Sequence, residues 1–275
     1  MNGSVEQPTS ATTAPESGRR KGRGRSRGRQ RSWLGNLLWP VTSYLVTNVT
    51  VSLFWVLFRV LNRTTVIGRE NVGDEPNTLL LSNHQTMIDS FLVGLLAFFP
   101  RSLVKPHLIP WNPAAEENFF KNPLLAWFSD HFRCIPVKAG RRDLHALHRM
   151  VEVLPTGVMT LFPEGTRTRD GSVGRGRAGA GLVILGTRPR AIPVAIDGMQ
   201  DVLPIGRYLP RLFKRIYVSY GPPVPYDDFL DQPRSREAAQ AIVDRVMEAV
   251  RTQHAELLEM RRREERRSGG RREEK

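Results

Sequence analysis

The sequence predicts an α/β domain, a mixed and largely parallel sheet flanked by helices, preceded by an N-terminal membrane-associated helical segment. Three observations carry this. Short apolar runs at 78–82, 158–162, 191–196 and 216–220 read as buried strands. Segments with helical spacing alternate with them, as in a parallel-rich sheet. The stretch from Ser32 to Phe58 contains no charged residue at all.

Charge placement bounds the N- and C-terminal ends. The 275 residues carry 41 Lys and Arg against 27 Asp and Glu, a formal charge of +14. Residues 1–31 hold +6 of this and residues 259–275 hold +3, so the basicity belongs mostly to the ends. A broad basic face for nucleic acid is therefore not expected on the folded body. Cys134 is the single cysteine, which excludes an intrachain disulfide and a cysteine-based zinc site and fits a reducing, intracellular compartment.

Residues 1–31 are Gly, Ser, Thr, Pro and Arg with few apolar side chains, too few to offset the entropy of ordering, so disorder is expected. The Arg/Gly run from Arg19 reads as a solvated tail, as a basic arm on an anionic bilayer, or as an RNA contact. Residues 32–62 read as the membrane segment. Trp33, Trp39 and Trp55 stand near its ends, with Arg59 and Arg63 beyond, as interfaces favour. Its middle is polar (Thr42, Ser43, Thr47, Asn48), Pro40 interrupts it, and both flanks are basic. A hairpin dipping into one leaflet is preferred, with a single span as the second reading.

Residues 63–232 form the α/β domain. After the run at 78–82 come a helix over 90–99, short strands at 101–104 and 135–137, and an amphipathic helix over 143–154. In 233–260, Ile242, Val246, Val250, Leu257 and Leu258 make the apolar stripe of a C-terminal helix. Residues 261–275 form a charged tail expected to fray. The spacing shows no internal repeat.

Two clusters carry chemistry. His84 and Asp89, in a His-x4-Asp pattern, follow the run at 78–82 directly. Histidine moves protons near neutral pH, and a carboxylate on its far nitrogen fixes the tautomer. On a straight helix five residues separate the two by roughly 140°. The pair works if His84 sits in the strand-to-helix turn and Asp89 reaches back from the first helical turn. Otherwise they are independent turn-capping residues. Phe162-Pro163-Glu164-Gly165-Thr166-Arg167 follows the run at 158–162. Such loops at strand C-termini are where α/β proteins bind ligands, and Arg167 could grip a phosphate with its fork. By itself the loop reads equally as a surface turn with a local ion pair. His145 and His148 lie three apart on a helix, but without a carboxylate partner they read as a solvated face. No metal site is expected.

Taken together, these motifs resemble the glycerolipid acyltransferases, the 1-acylglycerol-3-phosphate acyltransferases and their PlsC-like relatives. The resemblance extends through Lys105, through Arg133-Cys-Ile-Pro-Val-Lys138, through Ile192-Pro193-Val194 and to Tyr220-Gly221-Pro222, covering roughly 64–230. Lys138 stands where the family carries arginine, and Arg175-Gly-Arg177 stands where it carries a Phe-Lys pair.

The resemblance implies transfer of a fatty acyl group from acyl-CoA or acyl-carrier protein to the free hydroxyl of 1-acyl-glycerol-3-phosphate, giving phosphatidic acid. His84 would be the general base and Asp89 its orienting partner. Arg167, Lys105 and Lys138 would form the phosphate site, with Gly165 and Thr166 in the same substrate loop. Glu164 would bind the glycerol part or hold that loop. No cofactor is implied beyond the donor. The partners would be membrane lipids and the thioester, not nucleic acid, at the cytoplasmic face of an inner or plasma membrane. Other acceptors, such as a different lysophospholipid or an amino-acid lipid, or a non-catalytic lipid- or RNA-binding role, are the alternatives. The presence of His84, Asp89, Glu164 and Arg167 together speaks against the non-catalytic one.

Overall fold

The computed structural model describes residues 33–138, 143–231 and 233–273, without side chains at 36 and 268–273. The expected disordered tail at 1–31, and Arg141 and Arg142, lie outside these residues. The chain divides into Met1–Leu38 and Trp39–Lys275. Of the first unit, the described residues 33–38 are helical.

Along the chain the elements are α1 (Trp33–Val56), β1 (Arg63–Ile67), β2 (Thr78–Ser82), α2 (Asp89–Phe98), β3 (Asn112–Ala115), α3 (Glu116–Phe119) and α4 (Pro123–His131). Then follow β4 (Cys134–Val137), α5 (Leu144–Val153), β5 (Val158–Leu161), α6 (Ala178–Thr187), β6 (Arg190–Asp197), α7 (Met199–Val202), β7 (Arg215–Tyr220) and α8 (Arg236–Glu273). The main sheet has the order β1-β7-β6-β2-β5, and β3 pairs with β4 in a second, two-stranded sheet. Within the main sheet β6, β2 and β5 are parallel, β7 runs antiparallel to β6, and β1 is parallel to β7.

β2 is central because it is apolar on both faces. Leu79, Leu80 and Leu81 are each fully buried, at roughly 2 kcal/mol apiece, a sum comparable to the whole net stability of a domain. The pleat sends Leu79 and Leu81 into a core shared with α5, α6 and α8. Leu80 goes the other way, into a core shared with α2 and Phe58. The register sets Leu81 beside Leu161, so β2 and β5 end side by side and their following loops leave at the same end of the sheet.

Several expectations are corrected. The dipping hairpin is absent: α1 is one continuous helix that contains Pro40 and runs into a π-helical turn, Leu57–Leu61. Its polar residues do not mark a turn. Ser43 and Thr47 donate their hydroxyls to the His131 carbonyl at 3.1 and 3.0 Å. That carbonyl ends α4 and needs an external donor, so the polar stripe is used inside the protein. Residues 101–103 form a 3-10 turn and not a strand. Leu103 N–H bonds to the Pro100 carbonyl, and the Arg101 guanidinium binds Asp74 and the Ala97 carbonyl.

The charged C-terminal end does not begin as a fraying tail at 261, because α8 continues to Glu273. Arg261 pairs with Asp197 and Asp201 at 3.1 and 2.8 Å, and Glu264 accepts from Arg215 and from the Tyr217 hydroxyl. These ties to β6, α7 and β7 hold the first turns of the charged stretch.

α6 has no sequence signature of amphipathicity because it is packed on several sides. Its Gly181 lies against the α8 backbone, where an added Cβ would fall 1.9 Å from the Ala239 carbonyl oxygen. Gly181→Ala should therefore destabilise the fold by about 1–3 kcal/mol despite alanine's better helix propensity, read as a lower urea midpoint. An unchanged midpoint would contradict this packing.

Candidate active site

The loop between β2 and α2 is wound around one carboxylate. Asp89 is fully buried. Its Oδ2 accepts the backbone N–H of Gln85 at 2.6 Å and of Thr86 at 2.8 Å, and its Oδ1 accepts the Thr86 hydroxyl at 2.5 Å. The His84 imidazole meets the same Oδ2 through Nδ1, at 2.9 Å. With the carboxylate saturated by donors, Nδ1 is the nitrogen that carries hydrogen. Nε2 is then the basic nitrogen. The His84 ring stacks on Phe162, with centroids 4.1 Å apart and planes 17° apart, and the side chain stays partly open to solvent.

Neighbouring strands hold this loop. Asn83 makes a two-way pair with the Ile196 backbone, 2.9 Å each way. Gln85 bridges the Gly171 carbonyl and the Met199 N–H. Thr168 N–H bonds to the His84 carbonyl at 2.9 Å, which ties the second motif to the first. Gly165 adopts φ +68°, a left-handed turn that glycine permits.

Glu164 is buried under this turn. Its Oε1 accepts the Gly174 N–H at 3.1 Å, while buried Oε2 has no hydrogen-bond partner among the described residues. Burial pushes its carboxyl up to about 7, against the opposing pull of the Gly174 and His84 amides, and the Asp89 charge adds to the rise. Half-buried Arg167 and exposed Arg175 and Arg177 have no acidic partner among the described residues, and Arg177 lies beside Gly165. The site thus offers an oriented imidazole next to cations available to an anion.

Known proteins resemble this chain in sequence and fold. The sequence profile of the acyltransferase family covers residues 63–197. Residues 63–197 belong to the acyltransferase family. Over 149 residues the chain is 27% identical to the chloroplastic 1-acyl-sn-glycerol-3-phosphate acyltransferase LPAT1 of Arabidopsis thaliana, covering 52% of this chain and 38% of that protein. It is 26% identical to the chloroplastic BAT2 acyltransferase of Brassica napus, covering 52% and 40%. The match thus spans about two fifths of the length of these curated relatives. The fold is similar to that of the 1-acyl-sn-glycerophosphate acyltransferase PlsC from Thermotoga maritima, with a TM-score of 0.55, 24% identity and coverage of 82% and 96%.

Within the acyltransferase domain, His84, Asp89, Glu164, Gly165, Thr166 and Arg167 come together at one end of the sheet. Lys105 does not join them. α2 carries the chain to the opposite end, where Lys105 pairs with Asp74 at 2.6 Å just before β2 begins. Asp74 also binds Arg101, so Lys105 there is part of a structural ion cluster. Lys138 closes β4 with an exposed side chain, and its N–H is held by Asp143 at 3.0 Å. Cys134 is the only cysteine, and burial pushes its thiol up to about 12, which suits a structural residue. Among the described residues no group of His, Cys, Asp and Glu is arranged to hold a metal.

Thr86, Gln85 and Asn83 escaped the sequence reading. The first was detectable, because Thr86-x-x-Asp89 has the spacing of a helix capping box. The other two bind residues more than eighty positions away, and no local pattern reports that.

A carboxyl raised in the folded state penalises folding as pH rises above the unfolded value of 4.5, and the penalty levels off above about 7. Glu164→Gln removes a penalty on the order of 3 kcal/mol. The variant should melt higher than the parent at pH 8 and close to it at pH 5, measured by thermal denaturation across that range. Equal curves at both pH values would mean that burial does not raise the Glu164 carboxyl.

Proposed function

We propose that the chain is a membrane-associated O-acyltransferase that moves a fatty acyl group from acyl-CoA or acyl-carrier protein to the hydroxyl of 1-acyl-glycerol-3-phosphate, forming phosphatidic acid. The observation that carries the reading is the His84–Asp89 pair, buried on the carboxylate side and open on the imidazole side.

His84 Nε2 takes the proton from the acceptor hydroxyl as its oxygen attacks the thioester carbonyl. Collapse of the tetrahedral intermediate expels the thiolate, which recovers the proton from the imidazolium. Asp89 holds the ring and stabilises the transient positive charge. The acceptor supplies the nucleophile, so no enzyme serine or cysteine is required. Arg167, joined by Arg175 and Arg177, faces the acceptor phosphate, with exposed Lys138 after β4 as a further cation. Glu164 holds the turn from beneath by its bond to Gly174.

Residues Leu37–Leu61 are long and apolar enough to cross a membrane, with mean hydropathy 1.6. One side of α1 is already occupied by α4 through Ser43 and Thr47, while Val41, Leu45, Val49 and Leu53 are exposed. This arrangement favours a helix lying in the interface, with its apolar side in lipid and the domain at the cytoplasmic face of the membrane, where Arg59 and Arg63 meet headgroups. The acceptor would then reach His84 without leaving the bilayer.

His84→Ala should lower turnover about 10²–10⁴-fold while leaving the melting temperature and vesicle binding unchanged. The assay follows labelled acyl transfer to lysophosphatidic acid, and near-normal turnover would sink the mechanism. Arg167→Lys should raise KM for the acceptor much more than it lowers kcat, because a point charge replaces a two-pronged fork. An unchanged acceptor KM would reassign the phosphate site.

A further inference from the structure

The connection from α7 to β7 contains an exposed apolar cluster that the reaction does not use. Tyr208, Leu209 and Phe213 are 88%, 81% and 80% exposed, and Ile205 and Leu212 are also open. Folded proteins seldom leave such a contiguous patch in water. Residues 203–214 carry Arg207, Arg211 and Lys214 and no acidic residue. Neither arginine has a carboxylate partner among the described residues.

The segment is an ordered loop. Arg211 N–H bonds to the Val202 carbonyl at 2.7 Å and Phe213 N–H to the Leu61 carbonyl at 2.9 Å, and Lys214 N–H bonds to Asn62 Oδ1 at 2.8 Å. Phe213 is held at φ +60°, a costly conformation for a bulky residue, with its ring directed outward. Because β7 runs antiparallel to β6, the loop lies at the same end of the sheet as His84. An apolar groove of about 250 Å³ separates it from α1, lined by Leu53, Phe54 and Leu57 on one side, Tyr208 on the other, and Ile88 of the catalytic loop.

We propose that residues 203–214 are a second membrane contact, in which Tyr208, Leu209 and Phe213 enter an anionic bilayer while Arg207, Arg211 and Lys214 bind its headgroup phosphates. Two observations select a bilayer as the occupant. The apolar tips alternate with unpaired cations, as an anionic interface requires. The patch also continues the exposed apolar side of α1, since the loop is hydrogen-bonded to Leu61 and Asn62 just beyond that helix. With contacts on both sides of the groove, the mouth beside His84 is held against the lipid surface. The inference rests on the membrane residence proposed for α1, and not on the reaction.

The test uses the full chain with single cysteines carrying a polarity-sensitive fluorophore. Cys134→Ser is made first, so that the introduced cysteine is the one thiol available to the fluorophore. Labels replace Leu209, Val49 on α1, and Glu248 on the far side of α8. On vesicles of phosphatidylcholine and phosphatidylglycerol, the labels at 209 and 49 should shift to the blue, and the label at 248 should not. The shift at 209 should weaken on pure phosphatidylcholine, and Arg207→Gln with Arg211→Gln should abolish that lipid preference. A shift at 49 with none at 209 overturns the loop contact and leaves the α1 reading standing. No shift at either position overturns both. A shift at 209 only when a second protein is added would assign the patch to a protein partner instead.

Discussion

The buried carboxylate of Asp89 is the constraint on which the rest of the site depends. An ionised carboxylate in a protein interior is costly unless its lone pairs are filled. Here two backbone amides, a hydroxyl and the imidazole fill them. To deliver those donors, residues 84–89 must wind tightly around the side chain, which also starts α2 with an acid at its positive end. One interaction therefore ends β2, sets the turn into α2 and fixes the His84 ring.

The loop is precise because it is tied on several sides. Asn83 and Gln85 bind the end of β6, Phe162 stacks on the imidazole, and Thr168 is bonded to the His84 carbonyl. Parallel pairing of β2 with both β5 and β6 brings three strand ends to one place. The two motif loops and the β6 end thus meet without any covalent link. Glu164 extends the buried polar region beneath the turn, and its raised carboxyl disfavours a second negative charge beside Asp89 below about pH 7.

The reversal between β6 and β7 has a different consequence. It turns the chain back at the end of the sheet that carries His84, so the 203–214 loop and the turn after α1 lie at that end. An all-parallel sheet would have sent this connection to the opposite end. Apolar surface near the imidazole suits the bilayer-resident acceptor proposed above and would be a liability elsewhere.

Much of this was legible in the sequence. The central strands are continuous apolar runs because both of their faces are covered. His84, Asp89 and the Glu164–Arg167 loop follow those runs directly, so their placement at strand ends is a local property. What the sequence could not carry was long-range. β1 and β3 are edge strands with weak apolar patterns, α6 is buried on several sides and shows no period, and the polar residues of α1 are matched by an α4 carbonyl 84 to 88 residues away. Lys105 is displaced for the same reason, since α2 carries it across the sheet to Asp74. The sequence by itself determined which side chains sit at the strand ends, because burial and turn chemistry act over a few residues. Only the tertiary structure decided which of them meet, because strand order, register and the partners of buried polar groups are set by contacts between distant segments.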